Sequence, residues 1–273
     1  MGVGLLMLAG GVAAGLFGSL LGLGGGILIV PLLTIAFGLP LREAVGVSLI
    51  CVIVTSGASA GVYLERHVAN LRLGMTLELF TAIGALVGGL VAFRVSDRVL
   101  AGLFAVLLVY VAVTMLRRRD PAGAAEAPAD APAEPVRHPF GLPLDGPGYT
   151  VRNLGRGVAG SLGAGVVSAL LGIGGGLVKV PVMHLVMGVP LRVATATSNL
   201  MIGVTASASA IIYLLRGGID PFVAGPTAIG VFLGATVGSR TAHRIDLRIL
   251  RVLFVVVLAW TAFEMARRAL GAS

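Results

Sequence analysis

Apolar stretches recur along the chain at roughly 4–22, 27–38, 44–64, 75–93 and 99–116. A second series follows at 157–173, 177–189, 193–215, 221–239 and 249–266. About 20 consecutive apolar residues carry a helix across a bilayer. The stretches 44–64 and 193–215 hold no charge except Glu65 just beyond the first, so both predict spanning helices. The stretches 75–93 and 99–116 come close, whereas 27–38 and 177–189 are too short to span. The pattern predicts an all-α polytopic membrane protein.

Laid on itself with Gly22 over Gly172, the sequence aligns without a gap. There are 22 identities over residues 15–64. Gly22, Gly24, Gly25 and Gly26 meet Gly172, Gly174, Gly175 and Gly176, and Pro31 meets Pro181. Gly38, Pro40, Leu41 and Arg42 meet Gly188, Pro190, Leu191 and Arg192. Shared apolar composition does not reproduce glycines, prolines and an arginine at one offset, so the chain is two copies of one unit. Between them, residues 120–149 hold seven of the thirteen prolines and five of the twelve acidic residues, the composition of an extended, disordered linker. The expected division is a first membrane repeat at 1–119, an Ala/Pro-rich linker at 120–156 and a second repeat at 157–273.

Composition agrees. Hydrophobic residues make up 57% of the chain, and charged ones 12%, about half the share of a soluble domain. The first 41 residues carry no charge, too long a run for a signal-peptide core, and read as mature protein. The formal charge of +8 reflects arginines between apolar segments, so it is explained by membrane orientation and not by nucleic acid. An odd number of crossings per repeat gathers thirteen arginines on one side against six, and an even number splits them eleven to eight. The positive-inside rule prefers the odd case, hence inverted-topology repeats, a cytoplasmic linker and both termini outside. The one cysteine, Cys51, excludes an internal disulfide and reads as core.

Each repeat opens with a helix, a glycine break and a short helix. Gly24, Gly25 and Gly26, and in the second repeat Gly174, Gly175 and Gly176, break the helix where bare backbone is tolerated only against protein or a watery cavity. The short helices that follow present free N–H groups and a positive dipole end, suited to an anion. One such run reads best as close helix packing. Two at matching positions of an inverted repeat read better as a binding site. Lys179, opposite Ile29 in the repeat, stands beside the second break. It either adds a positive charge or snorkels to the interface. Ser48, Thr197, Ser198 and Asn199, near the starts of their helices, are candidate donors to an oxyanion. Most of the other hydroxyls on these helices read as ordinary interhelical bonding. Glu78 reads as an interfacial carboxylate, with proton coupling as the other role, and His184 as packed and neutral.

Gly57-Ala-Ser-Ala-Gly61 matches a nucleophile-elbow pattern. That pattern needs a strand-to-helix turn and an acid–base partner, and neither is present in the sequence, so an enzyme is not expected. No metal-ligand spacing, cofactor motif or Walker-type sequence appears.

The chain resembles the TauE/SafE sulfite-exporter-like family of bacterial transporters. The resemblance rests on Gly22–Gly26 with Pro31, on Gly38-Leu-Pro-Leu-Arg-Glu-Ala44, on their echoes at Gly172–Pro181 and Gly188–Ala194, and on Ala196-Thr197-Ser198-Asn199. It covers the chain except the linker, which is longer than the family needs. It implies secondary transport of a sulfur-containing anion across the inner membrane: sulfite, thiosulfate or an organosulfonate such as sulfoacetate. An anion channel and a non-transporting structural or assembly protein are the other readings. The expected partners are the small anion and the lipid bilayer, with monomer and homodimer both open.

Overall fold

The computed structural model describes residues 2–20, 26–65, 69–117, 144–146, 148–241 and 247–271. Ten α-helices account for nearly all of them: α1 (Gly2–Leu20), α2 (Gly26–Pro31), α3 (Leu41–Glu65), α4 (Leu71–Ala92), α5 (Asp97–Arg117), α6 (Leu154–Leu171), α7 (Gly176–Pro181), α8 (Leu191–Leu215), α9 (Pro221–Thr241) and α10 (Leu247–Ala269). Six of these, α1, α4, α5, α6, α8 and α9, are long and apolar enough among the described residues to cross a membrane. Large apolar side chains such as Met75, Val106, Phe222 and Phe263 face outward, as lipid demands. The protein is an all-α polytopic membrane protein.

The offset between the two copies reappears in the elements. α2 and α7 continue as π-helical segments, Leu32–Ala36 and Val182–Val186. The prolines at the junctions, Pro31 and Pro181, supply no N–H and crowd the preceding turn, and the backbone widens just after them. Each short helix then stops in the same way. Gly38 and Gly188 take positive φ (68° and 73°). The next N–H reaches back six residues, Leu39 to the Leu33 carbonyl and Val189 to the Met183 carbonyl. Such a left-handed glycine cap closes the helix and turns the chain. Pro40 and Pro190 follow and open α3 and α8, whose bounds coincide when the two copies are superposed in sequence. Each short unit of eleven residues rises about 16 Å, half the hydrocarbon thickness.

Packing between the repeats follows the same exchange. α1 lies against α9, and α6, its counterpart, lies against α4. A Cβ at Gly84 would collide with the Leu162 carbonyl, and one at Gly234 with the Val12 carbonyl, the same contact with the copies exchanged. Small residues here let backbones touch, the usual device where lipid removes the hydrophobic drive to associate. α3 and α8 also pack together, and they run antiparallel. The start of α3 at Gly46 meets Gly218, just past the end of α8. Ser56, later in α3, donates to the Asn199 carbonyl near the start of α8 (3.1 Å) and accepts from Gly203 N–H (3.0 Å). α5 and α10 are antiparallel as well, with Gly102 beside Ala269 and Gly271 beside Arg98.

Most of the proline-rich segment, residues 118–143, lies outside the described residues. Its end is packed, contrary to a disordered tether reaching to 149. Leu144, Tyr149 and Val151 are buried in a cluster with Leu73, Met183 and Met187. Asn70 holds them. Its amide donates to the Leu144 carbonyl and the Tyr149 hydroxyl, both at 2.8 Å, while its side-chain oxygen caps α4 at Leu73 N–H (3.0 Å). Local composition could not reveal a partner 74 residues away.

Gly84→Ala is expected to lower stability in detergent by about 1–3 kcal/mol, because the backbones must separate. Gly163→Ala on α6, where an added Cβ meets nothing within 4 Å, should leave the melting temperature unchanged. Equal melting curves for the two variants would contradict the packing described. Asn70→Ala should cost about 1–2 kcal/mol as a lost cap. It should also speed tryptic cleavage at Arg152, and an unchanged cleavage rate would remove Asn70 as the anchor.

Candidate functional site

The second break is fully described. α6 ends at Leu171, and Gly172, Gly174 and Gly175 all take positive φ (70°, 74° and 78°), a conformation that L side chains rarely adopt. The chain thereby leaves one helix and begins α7 within a few residues. All of Gly172, Ile173, Gly174 and Gly175 are buried, so this is bare backbone inside protein. Of the first break, Gly24 and Gly25 lie outside the described residues, as does Gly22, while Gly26 is described.

The two breaks meet. A Cβ at Gly26 would lie 2.7 Å from the Gly172 carbonyl oxygen. Ser48 of α3 bridges them: its hydroxyl is 2.7 Å from the Gly172 carbonyl and 3.2 Å from that of Gly26. Its one proton is shared between two backbone acceptors, and it joins positions 124 residues apart.

Two other hydroxyls sit at the second break with no hydrogen-bond partner among the described residues. Ser168 of α6 and Ser198 of α8 are both fully buried, and neither Oγ is bonded. Ser168 Oγ is 3.7 Å from where a Cβ on Gly175 would stand, and Ser198 Oγ is 3.5 Å from that of Gly176. An unpaired buried hydroxyl costs about 1–3 kcal/mol, so such groups call for an explanation. Here two converge on one loop, from two helices.

About two turns further along α8, at Thr205, is a buried charge pair. Lys179 of α7 is 3% exposed and Glu78 of α4 is 7% exposed. The Lys179 ammonium bonds the Glu78 carboxylate directly. It also donates to Thr205 Oγ1 (2.8 Å), and Thr205 in turn donates to the other carboxylate oxygen (2.6 Å). Glu78 is therefore not interfacial, as its position near the start of an apolar stretch suggested. α4 begins at Leu71, which sets Glu78 two turns, about 10 Å, inside. Nor does Lys179 snorkel. Two of its three N–H donors are bonded, and one is left over among the described residues.

The remaining sequence candidates serve contacts between helices. Thr197 accepts from Asn70 N–H (2.9 Å), tying α8 to the start of α4. Asn199 is half-buried, and its carbonyl accepts from Ser56. Most other hydroxyls on these helices bond back to their own helix, as Ser207 does to Gly203 and Ser209 to Thr205. Intrahelical acceptors four residues back are always in reach, and in lipid they satisfy the group without a neighbour. His184 is exposed, with Nδ1 2.9 Å from the Val189 carbonyl, and is not packed. Ser168 escaped sequence reasoning because its repeat counterpart is Gly18, so the alignment of the two copies gives no signal there.

The chain resembles known proteins over nearly its whole length. The family described as "Sulfite exporter TauE/SafE" matches residues 7–265. The probable membrane transporter protein YunE of Bacillus subtilis (strain 168) is 24% identical over 255 residues, covering 91% of this chain and 92% of YunE. A probable membrane transporter protein of Methanocaldococcus jannaschii is 26% identical over 268 residues, covering 93% of this chain and 91% of that one. The probable membrane transporter protein MamO of Magnetospirillum gryphiswaldense is 25% identical over 286 residues, with 97% of this chain aligned to 44% of MamO. No solved structure matches. A helical bundle apolar on its outside, a glycine break buried between α6 and α7 and a family match over residues 7–265 lead to one conclusion: this chain belongs to the TauE/SafE family of membrane transporters.

Proposed function

We propose that this protein is a secondary transporter that moves a small sulfur-containing anion across the inner membrane by alternating access between two inverted repeats. The substrate class is sulfite, thiosulfate or an organosulfonate such as sulfoacetate. The observation that carries the reading is the convergence of Ser168 and Ser198, buried and unbonded, on the break at Gly174–Gly176, with the Lys179 ammonium on the same short helix. Two hydroxyl donors on bare backbone, with an ammonium about two turns further along α8, suit a group with several acceptor oxygens, and a sulfonyl or sulfite head presents three. The family's description names a sulfite exporter, which supports the same chemistry.

Inversion is supported by direction. α3 and α8 are the same element of the two copies, yet they run antiparallel, and so do α5 and α10. A helix opposed to its own copy is what an odd number of crossings per repeat produces. By the same exchange, Gly24, Gly25 and Gly26 complete the site from the other repeat, with Ser48 holding the two breaks in contact. Alternating access then exchanges which end of the repeat interface is open. The contacts that must yield include Asn70–Thr197 near one end of α8 and, at the other, Arg42–Asp97 with Phe93 packed between Tyr213 and the Arg42 and Arg216 guanidiniums.

Three outcomes are expected for labelled thiosulfate counterflow in proteoliposomes. Ser168→Ala and Ser198→Ala should each raise the half-saturating concentration about five- to tenfold, the loss of one hydrogen bond of about 1 kcal/mol. Ser207→Ala, whose hydroxyl bonds its own helix, should behave as wild type. Gly175→Val should abolish counterflow while the protein stays in the membrane, because valine cannot hold a φ of 78° without strain. Saturable, wild-type counterflow in all of these variants would sink the site assignment. For orientation, in a Cys51→Ser background, Gly2→Cys should react with an impermeant maleimide applied outside, and Ala125→Cys should not. The reverse pattern would overturn the orientation of linker and termini.

A further inference from the structure

The Glu78–Lys179–Thr205 triangle breaks the repeat. The matching positions of the other copy are Ala228, Ile29 and Thr55, so the counterpart of the charge pair is apolar. The triangle also joins the two copies, Glu78 coming from the first and Lys179 and Thr205 from the second. A staple would serve as well with neutral groups, and a buried ion pair is no better for stability than well-packed apolar residues. Its placement on α7, four residues after Gly175, suggests another use.

We infer that Glu78 is a proton-binding site that competes with the transported anion for Lys179, so that each anion binds together with one proton. The inference rests on the anion-carrier reading and adds its coupling ion. With the site empty, Lys179 and Glu78 neutralise each other. If a singly charged anion takes the place of Glu78 on the ammonium, the site carries one net negative charge in a low-dielectric interior, which is costly. A proton taken from water onto the freed carboxylate restores neutrality. The Lys179–Glu78 contact breaks, a Lys179–anion contact forms, and Glu78 becomes a neutral acid that Thr205 can still hydrogen-bond. Empty and doubly occupied sites are both neutral and free to reorient. The anion alone or the proton alone leaves a net charge, and neither singly occupied form reorients. That selectivity is what links the two fluxes.

Nothing else that titrates faces Glu78 among the described residues. α7 contributes Lys179. α8 carries no charged side chain between Arg192 and Arg216, and its Tyr213 is bonded to the Ala169 carbonyl two turns beyond Thr205. α6 has no charged residue after Arg156. On α4 itself Arg72 is exposed. Asp145 and Tyr149 of the connector gather around Asn70, about 12 Å away along the helix. His184, on the π-helical continuation of α7, is exposed and turned to the Val189 carbonyl.

The test is proton uptake on anion binding, read with a pH indicator in weakly buffered detergent solution of the full chain. Methanesulfonate and 2-hydroxyethanesulfonate are the probes, since each carries a single negative charge and neither titrates near neutral pH. Wild type should take up about one proton per bound anion, and its affinity should fall about tenfold for each unit rise in pH, the slope of one linked proton. Glu78→Gln should bind with no uptake and with a flat pH dependence. Should that variant fail to fold with Lys179 unpaired, Glu78→Gln combined with Lys179→Gln removes both charges and should likewise release no pH change. A purely structural pair would move none of these readings. Binding of either probe by wild type without proton uptake overturns this inference and leaves the anion carrier standing. Binding of neither probe overturns both.

Discussion

Inside a bilayer, backbone that leaves the helix must be satisfied by the protein itself, because no water is there to do it. The structure is organised around meeting that demand at its centre. Gly172 exposes a carbonyl where α6 stops, and Gly26 stands against it where α2 starts. The Ser48 hydroxyl bonds the Gly172 carbonyl and also reaches that of Gly26. Since Ser48 belongs to α3, the bond also fixes a helix of the first copy on the break of the second. The glycine seams of α1 with α9 and of α4 with α6 then bring the remaining helices of one copy against the other. Neither repeat is closed alone.

The chemistry follows from where this satisfaction stops. Ser48 has its acceptors, but Ser198, its counterpart in the second copy, has none among the described residues, and neither has Ser168. The symmetric scaffold is complete, and an asymmetric set of donors is left at the second break. Lys179 and Glu78 deepen the asymmetry, because their counterparts are apolar. In the proposed carrier, the symmetry would supply two arrangements of similar energy, and the asymmetry something for a ligand to bind.

Much of this was legible in the sequence, and the reason is local. A glycine followed two residues later by proline specifies a left-handed cap and then a new helix, and Gly38–Pro40 and Gly188–Pro190 do just that. The second break was legible because consecutive glycines cannot stay helical among apolar residues. The Glu78–Lys179 pair was not, since its members are 101 residues apart and neither has an echo in the other repeat. Both charges had a reasonable interfacial reading by themselves, and only the packing of α4 against α8 with α7 brings them together. The connector failed for a related reason. Its composition describes a tether, but Leu144, Tyr149 and Val151 at its end find a cluster that lies in other helices.

The central claim is that the buried donors at the second break hold an anion. A ligand that binds the folded protein must raise its apparent stability in proportion to occupancy. The direct measurement is the melting temperature of purified protein in detergent against sulfite, thiosulfate, sulfoacetate and sulfate at equal ionic strength. The account predicts a saturable rise with at least one of the first three, and loss of that rise when both Ser168 and Ser198 are alanine. No rise with any of these anions at millimolar concentration, or one that persists in the double variant, would contradict it.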